Sequence, residues 1–243
     1  RGRGRRGARR RAGLGRLTMS HLHIPDGLLP LALWAGGLVL ALALLARASH
    51  LARAHSPQRI AYQGALGGLM LAAMAIPLGP LEYHLTLAGP VAILLGVAGA
   101  LPVFFVVGAT LALVGHGGFT VIGINTLLLF AVAVVARGAY RLLAPHLSAG
   151  WAMALASAAG SLTSGVLWLI VVVVMLRLPT DPMPTLATVP ARTELLGAVA
   201  LSLWMVGTLI EALVAFGIGR FLSKVHPALL PTGPAQPVAR QPV

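Results

Sequence analysis

Two histidines, His21 and His23, stand just ahead of a Pro25-Asp26-Gly27 turn and the first long apolar stretch of this 243-residue chain. Neutral imidazole is a borderline donor that suits Ni²⁺, Co²⁺, Zn²⁺ and Cu²⁺. The chain contains no cysteine, so thiolate metal sites and disulfides are excluded. A free amino terminus would add another nitrogen donor. If translation starts at Met19, His21 is third, and an amine, two deprotonated backbone amides and an imidazole can surround one metal in a plane. If Met19 is removed ahead of the small Ser20, His21 becomes second and a position is left for another histidine. Square-planar nitrogen donors favour Ni²⁺ or Cu²⁺. The turn folds this segment back: Pro presets φ, Asp tolerates the turn geometry and Gly permits the return. Asp26 is accordingly read as a turn residue supporting the ligands rather than as a ligand.

The surroundings of these residues are apolar. The chain is 58% hydrophobic and 9% charged, whereas soluble domains carry about a quarter charged residues. Lipid is therefore its solvent. A net charge of +13 resembles a nucleic-acid signal, but eight of the 18 basic residues are arginines within positions 1–16, and without them +5 remains. No nucleic-acid partner is expected. Residues 1–18 are expected to be a non-native or mis-assigned basic extension, with the mature chain beginning at Met19 or later. Residues 19–226 read as a single transmembrane metal-binding domain, and the Pro-rich residues 227–243 as a disordered cytoplasmic tail.

Spanning about 30 Å of hydrocarbon takes roughly 20 apolar residues. Seven stretches qualify or come near, at about 29–47, 60–77, 85–99, 101–115, 121–143, 150–176 and 194–222. The expected fold is an all-α integral membrane bundle of about seven helices. Gly99 and Pro102 are expected to mark the break between the short third and fourth stretches, unless the two form one kinked helix. Positive charge follows the cytoplasmic side. Arg47, Arg53, Arg59, Arg137, Arg141, Arg220 and Lys224 all fall there if the N-terminus is outside, and Arg177 and Arg192 do not. The expectation is a multi-pass cell-membrane protein with its N-terminus outside and C-terminus cytoplasmic. The His21/His23 segment, the Glu82-Tyr83-His84 loop and the Gly115-His116-Gly117-Gly118 loop then share the outer face. His50, His55, His146 and His226 fall on the inner side and are read as interfacial polar residues.

Small residues recur at four-residue spacing in the first two spans, as Ala32/Gly36, Gly37/Ala41, Ala61/Ala65 and Gly64/Gly68/Ala72. Such rows let helices approach closely, either inside the bundle or against another subunit. Met70 and Met74 share a face of span two and are read as core filling rather than soft ligands. Glu211 is an acid inside the last span, which marks a functional hypothesis; a structural pairing with Arg137, Arg141 or helix backbone competes with it.

His23-Ile24-Pro25-Asp26-Gly27 resembles the opening signature of the CbiM/NikM family, the membrane substrate-binding components of cobalt and nickel energy-coupling-factor transporters. Two further segments match in order. Ile76-Pro77 followed by His84 resembles that family's second metal-histidine loop. Gly115-His116-Gly117-Gly118-Phe119-Thr120-Val121-Ile122-Gly123-Ile124-Asn125 resembles its Gly-rich loop with Gly-x-Asn. Glu211 resembles the Glu of its final helix. The resemblance covers roughly residues 19–226.

The family implies that the metal is held by the N-terminal amine, by the backbone nitrogen and ring of the first histidine, and by the histidine of the second loop. These carry over to His23 and His84. The family has an N-terminal Met directly before the first histidine, where this chain has Leu22, so His21 with the amine of Met19 or Ser20 is the candidate substitute. Pro80-Leu81-Glu82-Tyr83 replaces a Gly/Ser-rich run. Glu82, a hard oxygen donor, would tilt the site from Ni²⁺ toward Co²⁺. His116 stands where an acid is expected and is a further candidate ligand; Asn125 is a supporting residue, and Leu128 stands where a second Asn is expected. The resemblance implies substrate capture for ATP-driven Co²⁺ or Ni²⁺ uptake, with the metal as cargo and no bound cofactor. It implies two cytoplasmic ATPase subunits and a transmembrane coupling subunit, and allows for a small accessory membrane subunit. The chain has no Gly-x-x-x-x-Gly-Lys-[Ser/Thr] loop and so cannot hydrolyse ATP alone. The competing readings are a transporter of an organic substrate, against which the 5% aromatic content weighs, and a metal-dependent membrane enzyme, for which no His-Glu-x-x-His spacing exists.

Overall fold

The computed structural model describes residues 29–51, 56–76, 84–115, 117–177 and 190–231. Their order is α1 (Leu31–Leu51), α2 (Pro57–Ala75), α3 (Ala88–Leu95), α4 (Val97–Leu113), α5 (Ile122–Leu143), α6 (Ala149–Arg177) and α7 (Pro190–Val225). Among the described residues, four segments are long and apolar enough to cross a membrane: Leu31–His50, Ile122–Leu143, Ala149–Val174 and Leu201–Val225. A single 3₁₀ turn, Pro227–Leu229, follows α7, and Leu230 packs beneath it against the cluster around Ile93 and Tyr140.

The bundle is organised around its shortest helix. The α3 sequence, Ala-Gly-Pro-Val-Ala-Ile-Leu-Leu, has no polar face, which is the mark of a helix surrounded by protein. It is buried against α5, α6 and α4. Pro90 is harmless because it lies in the first turn, where no intrahelical donor is needed. A Cβ on Gly89 would lie 2.6 Å from Ser157 Cβ, so only glycine lets α3 meet α6 this closely. Gly89→Ala is therefore expected to lower thermal stability in detergent by about 1–3 kcal/mol through overpacking. Gly108→Ala, where a Cβ would have nothing within 4 Å, should show no loss.

The break between α3 and α4 falls at Gly96, ahead of the expected Gly99–Pro102. Gly96 has φ +73°, a conformation that side chains resist, and this turns the chain between the two helices. Pro102 instead lies inside α4, where it leaves the Ala98 carbonyl without its helical donor. The broken backbone is repaired by side chains. Arg137 Nη1 on α5 donates to Ile93 O, and Arg59 Nη2 on α2 reaches Leu95 O at 3.5 Å. Gln63 Nε2 donates to Gly99 O at 2.9 Å. Orphaned carbonyls at membrane depth are costly, and such repair is what permits a helix to break there.

The small-residue rows separate into two kinds. Gly37 and Ala41 are buried against α5, and a Cβ on Gly123 would lie 2.7 Å from the Gly37 carbonyl carbon. Ala32, Gly36, Ala61, Gly64, Ala65, Gly68 and Ala72 all face outward. Met70 and Met74 are fully buried beside Phe104 and Val107, which places them in the core.

Candidate metal centre

Three stretches of chain reach one end of the bundle. Leu29, at the end of the N-terminal segment, packs against Val121 just before α5. Asn125, in the first turn of α5, is buried and its N–H bonds to Val121 O at 2.9 Å. Gly115 and Gly117, at φ +78° and +116°, bring the chain round from α4 to α5 on this same end, and glycine takes such angles without strain. His84 enters half-buried, four residues before α3. Arg59, Arg137, Arg141, His146, Arg220 and Lys224 belong to the opposite end. The described parts of the three loops singled out by sequence thus share one end of the fold, opposite those six basic side chains, with Arg177 and Arg192 at the loop end.

His21, His23, Asp26, Glu82 and His116 lie outside the described residues, as do residues 1–18 and 232–243. Among the described residues no three His, Cys, Asp or Glu side chains converge. His84 and Asn125 are therefore the described part of the expected metal environment.

Glu211 joins them from an unexpected direction. It is 4% exposed in α7, and its Oε1 accepts the Thr86 N–H at 2.8 Å and the Thr86 hydroxyl at 2.5 Å. Arg137, one of the partners weighed from sequence, is spent on Ile93 O. Thr86 Oγ1 in turn accepts the Ala88 N–H at 3.3 Å, capping the start of α3. A negative carboxylate at the N-terminal end of a helix is favoured by the exposed amides and their dipole. Sequence reasoning missed Thr86. The signal available was an acid in a span, which demands donors, and a lone hydroxyl two residues after a candidate ligand.

The placement of Glu211 is itself supported. Trp204, Thr208, Glu211 and Ala215 repeat at helical spacing and are all buried. Thr208 Oγ1 lies 2.9 Å from Ser161 Oγ on α6, and Trp204 Nε1 donates to Ser161 O at 2.9 Å. The α7 face that carries the carboxylate is thereby locked to α6.

A family profile described as the cobalt uptake substrate-specific transmembrane region, CbiM, matches residues 23–229. No curated protein matches the chain. Among solved structures, a truncated transition metal transporter superposes with TM-score 0.70 and 21% identity, covering 84% of this chain and 99% of that one. A second transition metal transporter gives TM-score 0.65 at 20% identity, covering 84% of this chain and 93% of that one. At these identities the structures testify to a shared fold.

Proposed function

We propose, from the premise that this chain belongs to the CbiM family of cobalt uptake substrate-specific transmembrane regions, that it captures Co²⁺ or Ni²⁺ at the loop end of its bundle. It is a multi-pass membrane component of metal transport and not an enzyme. The proposed ligands are His84 and His23, with His21 and an amine beside them and Glu82 and His116 as further donors. The observation that carries this reading is the placement of His84. It is anchored through Thr86 to a buried carboxylate, at the end of the fold where the N-terminal segment arrives. Nitrogen donors on a rigid frame, with no sulfur available, suit a borderline divalent cation.

The proposed topology puts this end outside and the basic end in the cytoplasm, as the distribution of Arg and Lys favours. Delivery across the membrane would need two ATPase subunits and a coupling subunit, because the chain carries no nucleotide-binding loop. Capture would not. Calorimetric titration of the purified chain with Co²⁺ and with Ni²⁺, without nucleotide or partners, tests this directly. One saturable site per chain is expected for at least one of the two ions. Absence of saturable binding to the intact, folded protein would overturn the reading.

A further inference from the structure

We infer that Glu211 is a positioning residue for metal capture: from α7 it fixes the backbone that presents His84. The inference rests on the reading of His84 as a ligand and adds how that ligand is held. The segment 84–87 has no regular structure of its own. It ends at Leu87, with φ +53° and ψ +16°, the one non-glycine residue with positive φ among those described. For a branched side chain this conformation costs roughly 1–2 kcal/mol and persists only where neighbours over-determine it.

Three contacts do so. Leu87 O accepts the Val91 N–H at 3.0 Å, the first helical bond of α3. Thr86 Oγ1 accepts the Ala88 N–H. Glu211 Oε1 takes both donors of Thr86. The first two tie the segment to α3, and the third ties it to α7. It crosses 125 residues of sequence and ties the loop to a face of α7 that is locked to α6. Without it, the segment that carries His84 loses its tie to α7. Ligand sites tolerate only about 0.5 Å of such freedom.

The test uses the full chain in detergent, titrated calorimetrically with Co²⁺, with the visible ligand-field absorption of the Co²⁺-saturated protein as second readout. Glu211→Ala and Thr86→Val should each weaken Co²⁺ binding at least tenfold, the usual cost of removing a ligand's support. The saturated band should shift in both. Glu211→Ala removes both bonds to Thr86 and Thr86→Val only the hydroxyl's, so the loss in the double variant should fall short of the sum of the two single losses. Thr86→Ser keeps the hydroxyl and the N–H, and should restore affinity and spectrum. Should Glu211→Ala not fold, Thr86→Val decides, since it is nearly isosteric and leaves Glu211 in place. Wild-type affinity and spectrum in Glu211→Ala or Thr86→Val, beside lost binding in His84→Ala, would overturn the inference and leave the metal site standing. Additive losses in the double variant would also overturn it. Wild-type binding in His84→Ala would overturn the metal site, and the role of Glu211 with it.

Discussion

His84→Ala and His23→Ala are each expected to abolish high-affinity binding of Co²⁺ or Ni²⁺, while His146→Ala leaves it unchanged. His84 and His23 are the two imidazoles on which the proposed site rests, and each supplies a nitrogen donor that the oxygen of Glu82 does not reproduce. Losing a ligand's hydrogen-bonded support alone typically costs ten- to a hundredfold in affinity. Losing the ligand should cost at least about a hundredfold, or roughly 2.8 kcal/mol. His84 is half-buried at the end of the bundle where Leu29 delivers the N-terminal segment. His146 is exposed in the turn after α5, at the opposite end, and meets none of those loops. The comparison therefore separates a defined site from general attraction of metal to surface imidazole. Calorimetry on the three purified variants decides it, and unchanged affinity in His84→Ala would refute the assignment.

The reach of sequence reasoning here follows from which interactions are local. Apolar length and charge placement are local properties, and they predict seven helices with the three histidine loops at one end. The break in the third apolar stretch is only half local. Gly99 and Pro102 are natural breakers, yet the turn forms at Gly96, because Arg59 and Arg137 reach the carbonyls of Leu95 and Ile93 there. Pro102 is tolerated inside α4. Gly99 is instead closely packed: a Cβ on it would lie 3.2 Å from Leu95 Cβ, which would have to give by a few tenths of an ångström. The partner of Glu211 was not legible at all, since Thr86 lies 125 residues away and nothing in either neighbourhood names the other. The small-residue rows show the same limit. Adjacent residues on a helix point about 100° apart, so Gly36 and Gly37 belong to different faces, and spacing alone cannot say which one meets protein.

That division gives the second large expectation: Gly64→Leu and Gly36→Leu should spoil metal uptake while leaving the affinity of the purified chain within about twofold. Both positions are open, with nothing within 4 Å of an added Cβ. On α2 the inward face, with Tyr62, Leu66, Met70 and Met74, is spent on α3 and α4. The outward face is the row Ala61, Gly64, Ala65, Gly68 and Ala72. In lipid, small residues promote association because they let backbones approach closely, and a leucine there forfeits that contact. On the proposed function, capture needs this chain alone and should be blind to this face, whereas transport needs partner subunits, and we propose that the face is where the coupling subunit sits. Gly37→Leu supplies the contrast. A Cβ at Gly37 would lie 2.7 Å from Ile124 Cγ1, so that variant should lose binding and uptake together as α1 is pushed off α5. Affinity, cellular metal accumulation and pull-down of the partner subunits are to be measured on the same three variants. Normal uptake in Gly64→Leu and Gly36→Leu would give the outward face to lipid. Equal loss of affinity and uptake with partner association intact would give it to packing within the bundle. Only loss of uptake and of partner association, with affinity retained, assigns it to docking.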